Sequence, residues 1–442
     1  MSTDFDAIVV GAGPAGEVCA GALAEGGLRV AIVERELVGG ECSYWGCIPS
    51  KTLVRPGEAI AAARQAPGGR EAVSGRLDVD AALAWRDFMV SSYDDTGAAG
   101  WLDGKGVTLL RGEAALPAPG VVEVEGRAYT ASDVVVATGS QAIVPPVPGL
   151  RELDGIWTNR EATGLREVPR RLLVLGGGAV GVEMAQAVAR MGASVVLVEG
   201  AERLLAREPR ALGEGVAAAL ALDGIDVRTG VHARAARRRS ADGDYELELD
   251  DGEGLRGDRL LVATGRRPRL PEGLEAVAVD DRMRAGDRLW AVGDVTAIWP
   301  LTYVGKYQAR VAAANILGGD ARASYDAVPR VVFTDPQAAA VGEPDGELVA
   351  TVPLSDVART ATYTREYATR PGFLTLVSDG KRLTGAAALG PDAGEWLQQA
   401  TLAIRARVPL DLLRDTIQPF PTFSEAYVSA LGELRAKVPA RA

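Results

Sequence analysis

Two cysteines five positions apart stand in the run Gly39-Gly40-Glu41-Cys42-Ser43-Tyr44-Trp45-Gly46-Cys47-Ile48-Pro49-Ser50-Lys51. Thiols at such a spacing can form a redox pair, fill a core as small apolar side chains, or offer two ligands to a metal. Five residues of regular helix rise about 7.5 Å, whereas a disulfide needs its Cα atoms roughly 4.4 to 6.8 Å apart. A bridge therefore requires a distorted helix start, which Gly39, Gly40 and Gly46 permit. Pro49 suits the first turn of a helix running on through Lys51, and Cys47 would then lie near the positive end of its dipole, where a thiolate is favoured. With 3 cysteines and 1 histidine in the chain, a closed zinc site is hard to assemble. On the residues alone all three uses remain open.

The elements that must position this run are two nucleotide-binding starts. The first is a short apolar strand, Ala7-Ile8-Val9-Val10, then Gly11-Ala12-Gly13-Pro14-Ala15-Gly16, a helix of small residues, and Val30-Ala31-Ile32-Val33-Glu34. The second repeats the order 165 residues later: Leu172 to Leu175, Gly176-Gly177-Gly178-Ala179-Val180-Gly181, a helix from Val182, and Val195-Val196-Leu197-Val198-Glu199. In both copies the acid lies 23 residues beyond the first glycine. A single glycine fingerprint is weak, but strand, glycines, helix, strand and acid in order, twice, form a strong signal. Such glycines let backbone approach a pyrophosphate at a helix N-terminus, and Glu34 and Glu199 are expected to accept from ribose hydroxyls.

At 442 residues the chain is long enough for about three domains. Its net charge of −11 gives no electrostatic footprint for nucleic acid or anionic lipid, so small molecules are the expected partners. The start Met1 to Asp6 is unlike a signal peptide, and the apolar runs are broken before they reach membrane length, so a cytoplasmic, membrane-free protein is expected.

The cysteine run and the duplicated fingerprints resemble those of the class I pyridine nucleotide-disulfide oxidoreductases, the family of dihydrolipoamide dehydrogenase, glutathione reductase and mercuric reductase. The resemblance implies an α/β fold with two Rossmann-like dinucleotide-binding domains, for FAD and NAD(P), and a C-terminal α+β interface domain. The expected division is 1–149 and 267–328 for the FAD domain, 150–266 for the NAD(P) domain, and 329–442 for the interface. Also implied is an FAD-dependent NAD(P)H oxidoreductase that passes electrons through a Cys42–Cys47 disulfide to a small disulfide-type acceptor. The alternatives are a quinone or metal-ion reductase working from the flavin, or a low-turnover redox sensor. Cys47 would be the flavin-proximal thiolate and Cys42 the interchange thiol. Lys51 matches the family lysine near the flavin, and Glu183 its ion-pair partner. Gly11, Gly13, Gly16, Gly40, Ala114, Thr138, Gly139 and Asp294 match flavin-binding positions; Gly176, Gly178, Gly181 and Gly265 match the nicotinamide side. Thr138-Gly139 and Thr264-Gly265 each end a strand that closes a nucleotide unit. Ala179 stands where some members carry an aromatic gate, which implies an open nicotinamide pocket. NADH is expected over NADPH because Glu199 would repel a 2′-phosphate, although Arg203 and Arg207 lie close enough to blunt that preference.

The tail departs from the pattern. Members that reduce dithiol substrates carry a His-Pro-Thr-Xaa-Ser-Glu motif contributed across a homodimer, and this chain reads Phe420-Pro421-Thr422-Phe423-Ser424-Glu425. Glu425 is kept, Phe420 replaces the histidine, and His232, the only histidine, lies in the second nucleotide unit. Acceptors that need no proton on departure are therefore expected: disulfides of acidic thiols, quinones, metal ions or oxygen. The last residues carry no cysteine pair, so mercury reduction is not expected. Ser43-Tyr44-Trp45 also departs from the usual Val-Asn-Xaa, and its aromatics either line a substrate pocket or pack against flavin or core.

Overall fold

The computed structural model describes residues 3–238, 243–343, 345–363 and 372–438. Two compact units are formed, one from Met1–Ser50, Ala84–Ile143 and Gly265–Ser324, the other from Lys51–Leu83, Val144–Thr264 and Tyr325–Ala442.

In the first unit the strand Phe5–Val10 pairs in parallel with Val30–Glu34 on one side and with Arg127–Val136 on the other. Thr108–Arg111 extends the sheet beyond Val30–Glu34, and Leu289–Ala291 extends it beyond Arg127–Val136. Continuous apolar runs suit strands covered on both faces, and Ala7 to Val10 and Val30 to Glu34 are all buried. The helix Pro14–Glu25 opens with proline in its first turn, where a missing N–H costs nothing, and stops at Gly26-Gly27. Ala114–Ala118 and Val121–Val124 form an antiparallel meander with the first half of Arg127–Val136. Ile8, Val10, Ala31, Val33, Val134, Val136 and Ala291 make the core.

The second unit contains a parallel sheet in the order Asp226–Thr229, Ser194–Glu199, Arg171–Leu175, Arg259–Val262. It also contains a five-stranded antiparallel sheet in the order Arg330–Val332, Gln337–Gly342, Leu383–Gly390, Phe373–Ser378, Leu348–Pro353, with the helix Ala426–Lys437 against its last strand. Charge and glycine mark the stretch from Arg234 to Asp258 as solvated hairpins, but it holds a three-stranded antiparallel sheet with one face in a core of Ala236, Tyr245, Leu247, Leu249 and Leu255. The period of two in Tyr245-Glu246-Leu247-Glu248-Leu249 was the overlooked signal. The run around Glu395 to Arg405 reads as one helix in the sequence, but it is divided into Ala393–Trp396 and Gln398–Arg405. Around buried Leu397 the hydrogen bonding tightens, with both Ala400 and Thr401 donating to its carbonyl.

Candidate active site

The cysteine run folds as two helical pieces with a break between them. Gly39 and Gly40 take φ of 110° and 59°, which starts the short helix Gly40–Tyr44. That helix ends at Trp45, and Cys47–Gln65 begins after Gly46. Gly46 serves by lacking a side chain rather than by an unusual φ. A Cβ there would lie 3.0 Å from the Glu41 carbonyl oxygen and 3.2 Å from the Cys42 Cα, so the two cysteine-bearing turns approach only because none is present. The run is also stitched to the first glycine loop. Gly39 N–H donates to the Ala12 carbonyl at 2.8 Å, and a Cβ on Gly40 would meet the Gly13 Cα at 2.8 Å.

The two cysteines are not joined by a disulfide, and both are partly buried. They converge on Thr302, the first residue of the helix Thr302–Ile316: its hydroxyl donates to Cys42 Sγ at 3.2 Å and lies 3.3 Å from Cys47 Sγ. A hydrogen bond with Cys47, burial, and charge on Cys47 together push the Cys42 thiol far above its ordinary pKa. Cys42 is thus the sulfur that keeps a proton, and Cys47 sits at a helix start, where N–H groups favour negative charge. No residue type marked Thr302 in advance; only its place shortly after Gly293-Asp294 gives a hint.

The two aromatic residues between the cysteines divide. Tyr44 is core, with its hydroxyl donating to the Val38 carbonyl at 3.1 Å and its ring 6.3 Å from Tyr93. Trp45 stays half-buried, 6.1 Å from Tyr93. Tyr93 ends three consecutive non-glycine residues, Ser91 to Tyr93, with φ of 51°, 52° and 62°, a strained stretch that its surroundings must hold.

Lys51 donates to Glu183 Oε2 at 2.6 Å, and the other Glu183 oxygen accepts from Phe333 N–H at 2.9 Å. Lys51 Nζ also lies 4.7 Å from the centre of the Phe333 ring. Glu183 is buried, so the two are not ordinary surface charges, and Phe333 is a partner that sequence reasoning missed.

Asp294 accepts from the Ser140 hydroxyl at 2.6 Å, and that hydroxyl accepts from Arg266 Nε at 2.8 Å. Arg266 also reaches Glu41 at 3.2 Å. Ser140–Ala142 pairs antiparallel with Arg266–Pro268, so Thr138-Gly139 and Gly265 flank one small ribbon. Thr138 donates from its hydroxyl to the Arg269 carbonyl. Ala114 opens its strand opposite Val124.

The two glycine loops share one geometry. A Cβ on Gly11 would lie 2.5 Å from the Ala137 carbonyl oxygen, and one on Gly176 would lie 2.5 Å from that of Ala263. On Gly16 or Gly181 it would lie 1.9 Å from the oxygen of Gly11 or Gly176. Gly13 and Gly178, by contrast, face open space, and neither following helix is capped by a side chain. Open space above uncapped N–H groups fits a pyrophosphate in each loop. Glu34 accepts from Ala12 and Glu36 N–H at 2.9 and 2.8 Å; Glu199 accepts from Gly177 and Ala201 N–H at 2.6 and 2.7 Å. Both carboxylates therefore brace their own loops.

In the tail, Phe420 is 72% exposed, and Glu425 ends the short turn Phe423–Glu425 with Oε2 buried and unpartnered among the described residues. His232 is exposed. Among the described residues no three His, Cys, Asp or Glu side chains gather as metal ligands, and no helix is long and apolar enough to cross a membrane.

Comparison with known proteins agrees with this geometry. Residues 5–315 match the pyridine nucleotide-disulphide oxidoreductase family, and residues 328–431 match its dimerisation domain. A mercuric reductase of Acidithiobacillus ferrooxidans is 36% identical over 94% of this chain and 80% of its own. A dihydrolipoyl dehydrogenase of Thermus scotoductus is 35% identical over 96% of each. Among solved structures, the HOCl-induced flavoprotein disulfide reductase RclA from Escherichia coli superposes with a TM-score of 0.83, is 27% identical, and is covered over 97% of this chain and 99% of that one. Its Cu(II) complex gives 0.84 at 26% identity, covering 98% of this chain and 99% of that one. With two nucleotide loops of matching shape, a thiol pair beside the first and a dimerisation domain after the second, the chain belongs to the pyridine nucleotide-disulphide oxidoreductases, enzymes that depend on FAD and take electrons from NAD(P)H.

Proposed function

We propose that the enzyme takes a hydride from NADH and passes the electron pair through Cys42 and Cys47 to a small acceptor that departs without needing a proton. The observation that carries this reading is the meeting of both sulfurs at the Thr302 hydroxyl, at the start of a helix. Bound FAD supplies the two-electron relay between nicotinamide and thiols. The residues do the rest. The first glycine loop would hold the flavin pyrophosphate, and Asp294, kept in place by Ser140 and Arg266, would hold the ribityl chain. Glu183 and Phe333 hold the Lys51 cation, which stabilises negative charge on the reduced centre. Cys42 Sγ attacks an acceptor disulfide and releases one thiolate; Cys47 Sγ then attacks Cys42 and releases the second. In the proposed homodimer, the tail bearing Phe420 and Glu425 faces the thiols of the other chain and offers no imidazole to protonate the leaving sulfur. The FAD domain would comprise 1–149 and 267–328, the NAD(P) domain 150–266 and the interface 329–442, in a reducing, cytoplasmic setting.

A soft metal ion is the second reading. Two converging sulfurs suit it, and the relatives named mercuric reductase and the Cu(II) complex of RclA support it.

The test is an NADH-oxidation screen of wild type and Cys42→Ala across 5,5′-dithiobis(2-nitrobenzoate), glutathione disulfide, a quinone and Cu(II). Rapid reduction of the aryl disulfide, lost in Cys42→Ala, supports the reading; quinone reduction that survives the substitution contradicts it. Phe420→His should raise glutathione disulfide turnover, toward the roughly 10²-fold or more that a positioned acid-base group contributes. Wild-type turnover of glutathione disulfide already as fast as of the aryl disulfide would show that the proton has another source.

A further inference from the structure

We propose that the Thr302 hydroxyl is the proton relay between the two thiols, moving inside the pair the proton that an imidazole would otherwise handle from outside. This rests on the thiol route proposed above. The problem it solves is visible at the site: Cys42 keeps its proton yet must lose it to attack, Phe420 cannot take one, and His232, the only histidine, is exposed in the other compact unit. The Thr302 hydroxyl donates to Cys42 Sγ at 3.2 Å and lies 3.3 Å from Cys47 Sγ, where either atom can be the donor; turning about its C–O bond points its hydrogen at Cys47 and opens its oxygen to the Cys42 S–H. The step conserves protons and leaves the electron count unchanged. The S–H bond of Cys42 breaks as its proton forms a new O–H bond on Thr302, while the original Thr302 proton moves to the Cys47 thiolate. The product is a Cys42 thiolate ready to attack, beside a Cys47 thiol. When Cys47 later attacks Cys42, its proton passes to the released thiolate or to water. The two sulfurs are also close enough to influence each other directly, but sulfur is a weak donor and a weak acceptor, so the hydroxyl is the better path.

The test uses FAD-loaded protein, with Thr302→Val removing the hydroxyl at nearly constant shape and Thr302→Ser restoring it. Two rates are read after reduction: stopped-flow reduction of 5,5′-dithiobis(2-nitrobenzoate), in water and in deuterium oxide, and alkylation of Cys42 by iodoacetamide, followed by mass. Thr302→Val should slow both on the order of tenfold, below the full worth of an acid-base group because the direct sulfur contact remains, and should change the solvent isotope effect. Thr302→Ser should return both to near the wild-type rates. Wild-type rates in Thr302→Val, or equal slowing in the valine and serine variants, overturn the relay. A wild type in which two-electron reduction exposes no new thiols overturns the underlying thiol route as well, so the two failures are told apart by which protein shows them.

Discussion

The two nucleotide loops use the same frame and hang different chemistry from it. In each, the carbonyl of the residue after the first glycine anchors the segment that follows the acid: Ala12 accepts from Gly39 N–H at 2.8 Å, and Gly177 from Leu205 N–H at 2.9 Å. Gly39 and Leu205 both take positive φ, at 110° and 48°. In the first copy the anchored segment continues as Gly40, which lies against Gly13, and then as the cysteine run. In the second it is packed by Leu204, so close to Gly177 that a Cβ there would lie 2.5 Å from Leu204 Cδ2. Arg203 is tied into that same segment through the Ala206 and Glu208 carbonyls, both at 2.9 Å, whereas Arg207 is exposed. A duplicated frame thus leaves one peptide free to diverge, here into a pair of cysteines and there into a loop packed by Leu204.

The sharpest way to break this comparison is to spoil each frame in turn. Gly16→Ala and Gly181→Ala place a Cβ at the same 1.9 Å from a carbonyl oxygen, an overlap costing about 1–3 kcal/mol or more. Gly16→Ala should release FAD, read as lost visible absorbance, whereas Gly181→Ala should keep the flavin and lose its reduction by NADH. Equal flavin loss in both would show that the copies do not divide the cofactors.

A second contrast lies one residue further on, where the first copy has Glu17 and the second has buried Val182. Burial pushes Glu17 up to about 7, against the lowering influence of Lys306, with Glu34 adding to the rise. The folded state then holds a proton that the unfolded chain has released, so this group lowers stability as pH climbs from about 4.5 to about 7, and the loss is complete above that. Glu17→Gln should therefore gain about 1–3 kcal/mol over wild type at pH 8 but little at pH 4, measured by denaturant unfolding. A gain independent of pH would contradict this.

Smaller still is the ribose contrast. Wild type should show a larger kcat/KM with NADH than with NADPH, and Glu199→Ala should narrow the ratio by about tenfold, or about 1.4 kcal/mol. A preference for NADPH in wild type would place the exposed Arg207 in command of that pocket.

The repeated fingerprints and the cysteine run were legible because glycine spacing and apolar strands state their own geometry: Gly11, Gly16 and their second-copy partners admit no side chain where they stand. Glu183 was legible only through resemblance, since its burial depends on Phe333, 150 residues away. Thr302 was not legible from its residue type. A threonine at a helix start is common, and only the fold places its hydroxyl between sulfurs 255 and 260 positions distant. The sheet around Tyr245 was missed because flanking charges masked a regular alternation.

The central claim is that Cys42 and Cys47 are the working redox pair beside the flavin. It is tested most directly by anaerobic titration of the FAD-loaded enzyme with NADH, following the long-wavelength absorption that a thiolate gives next to oxidised flavin. Wild type should develop that band at two electrons per flavin and expose two new thiols, and Cys47→Ser should show neither. A wild type that bleaches straight to reduced flavin, with no band and no change in thiol count, would contradict the account.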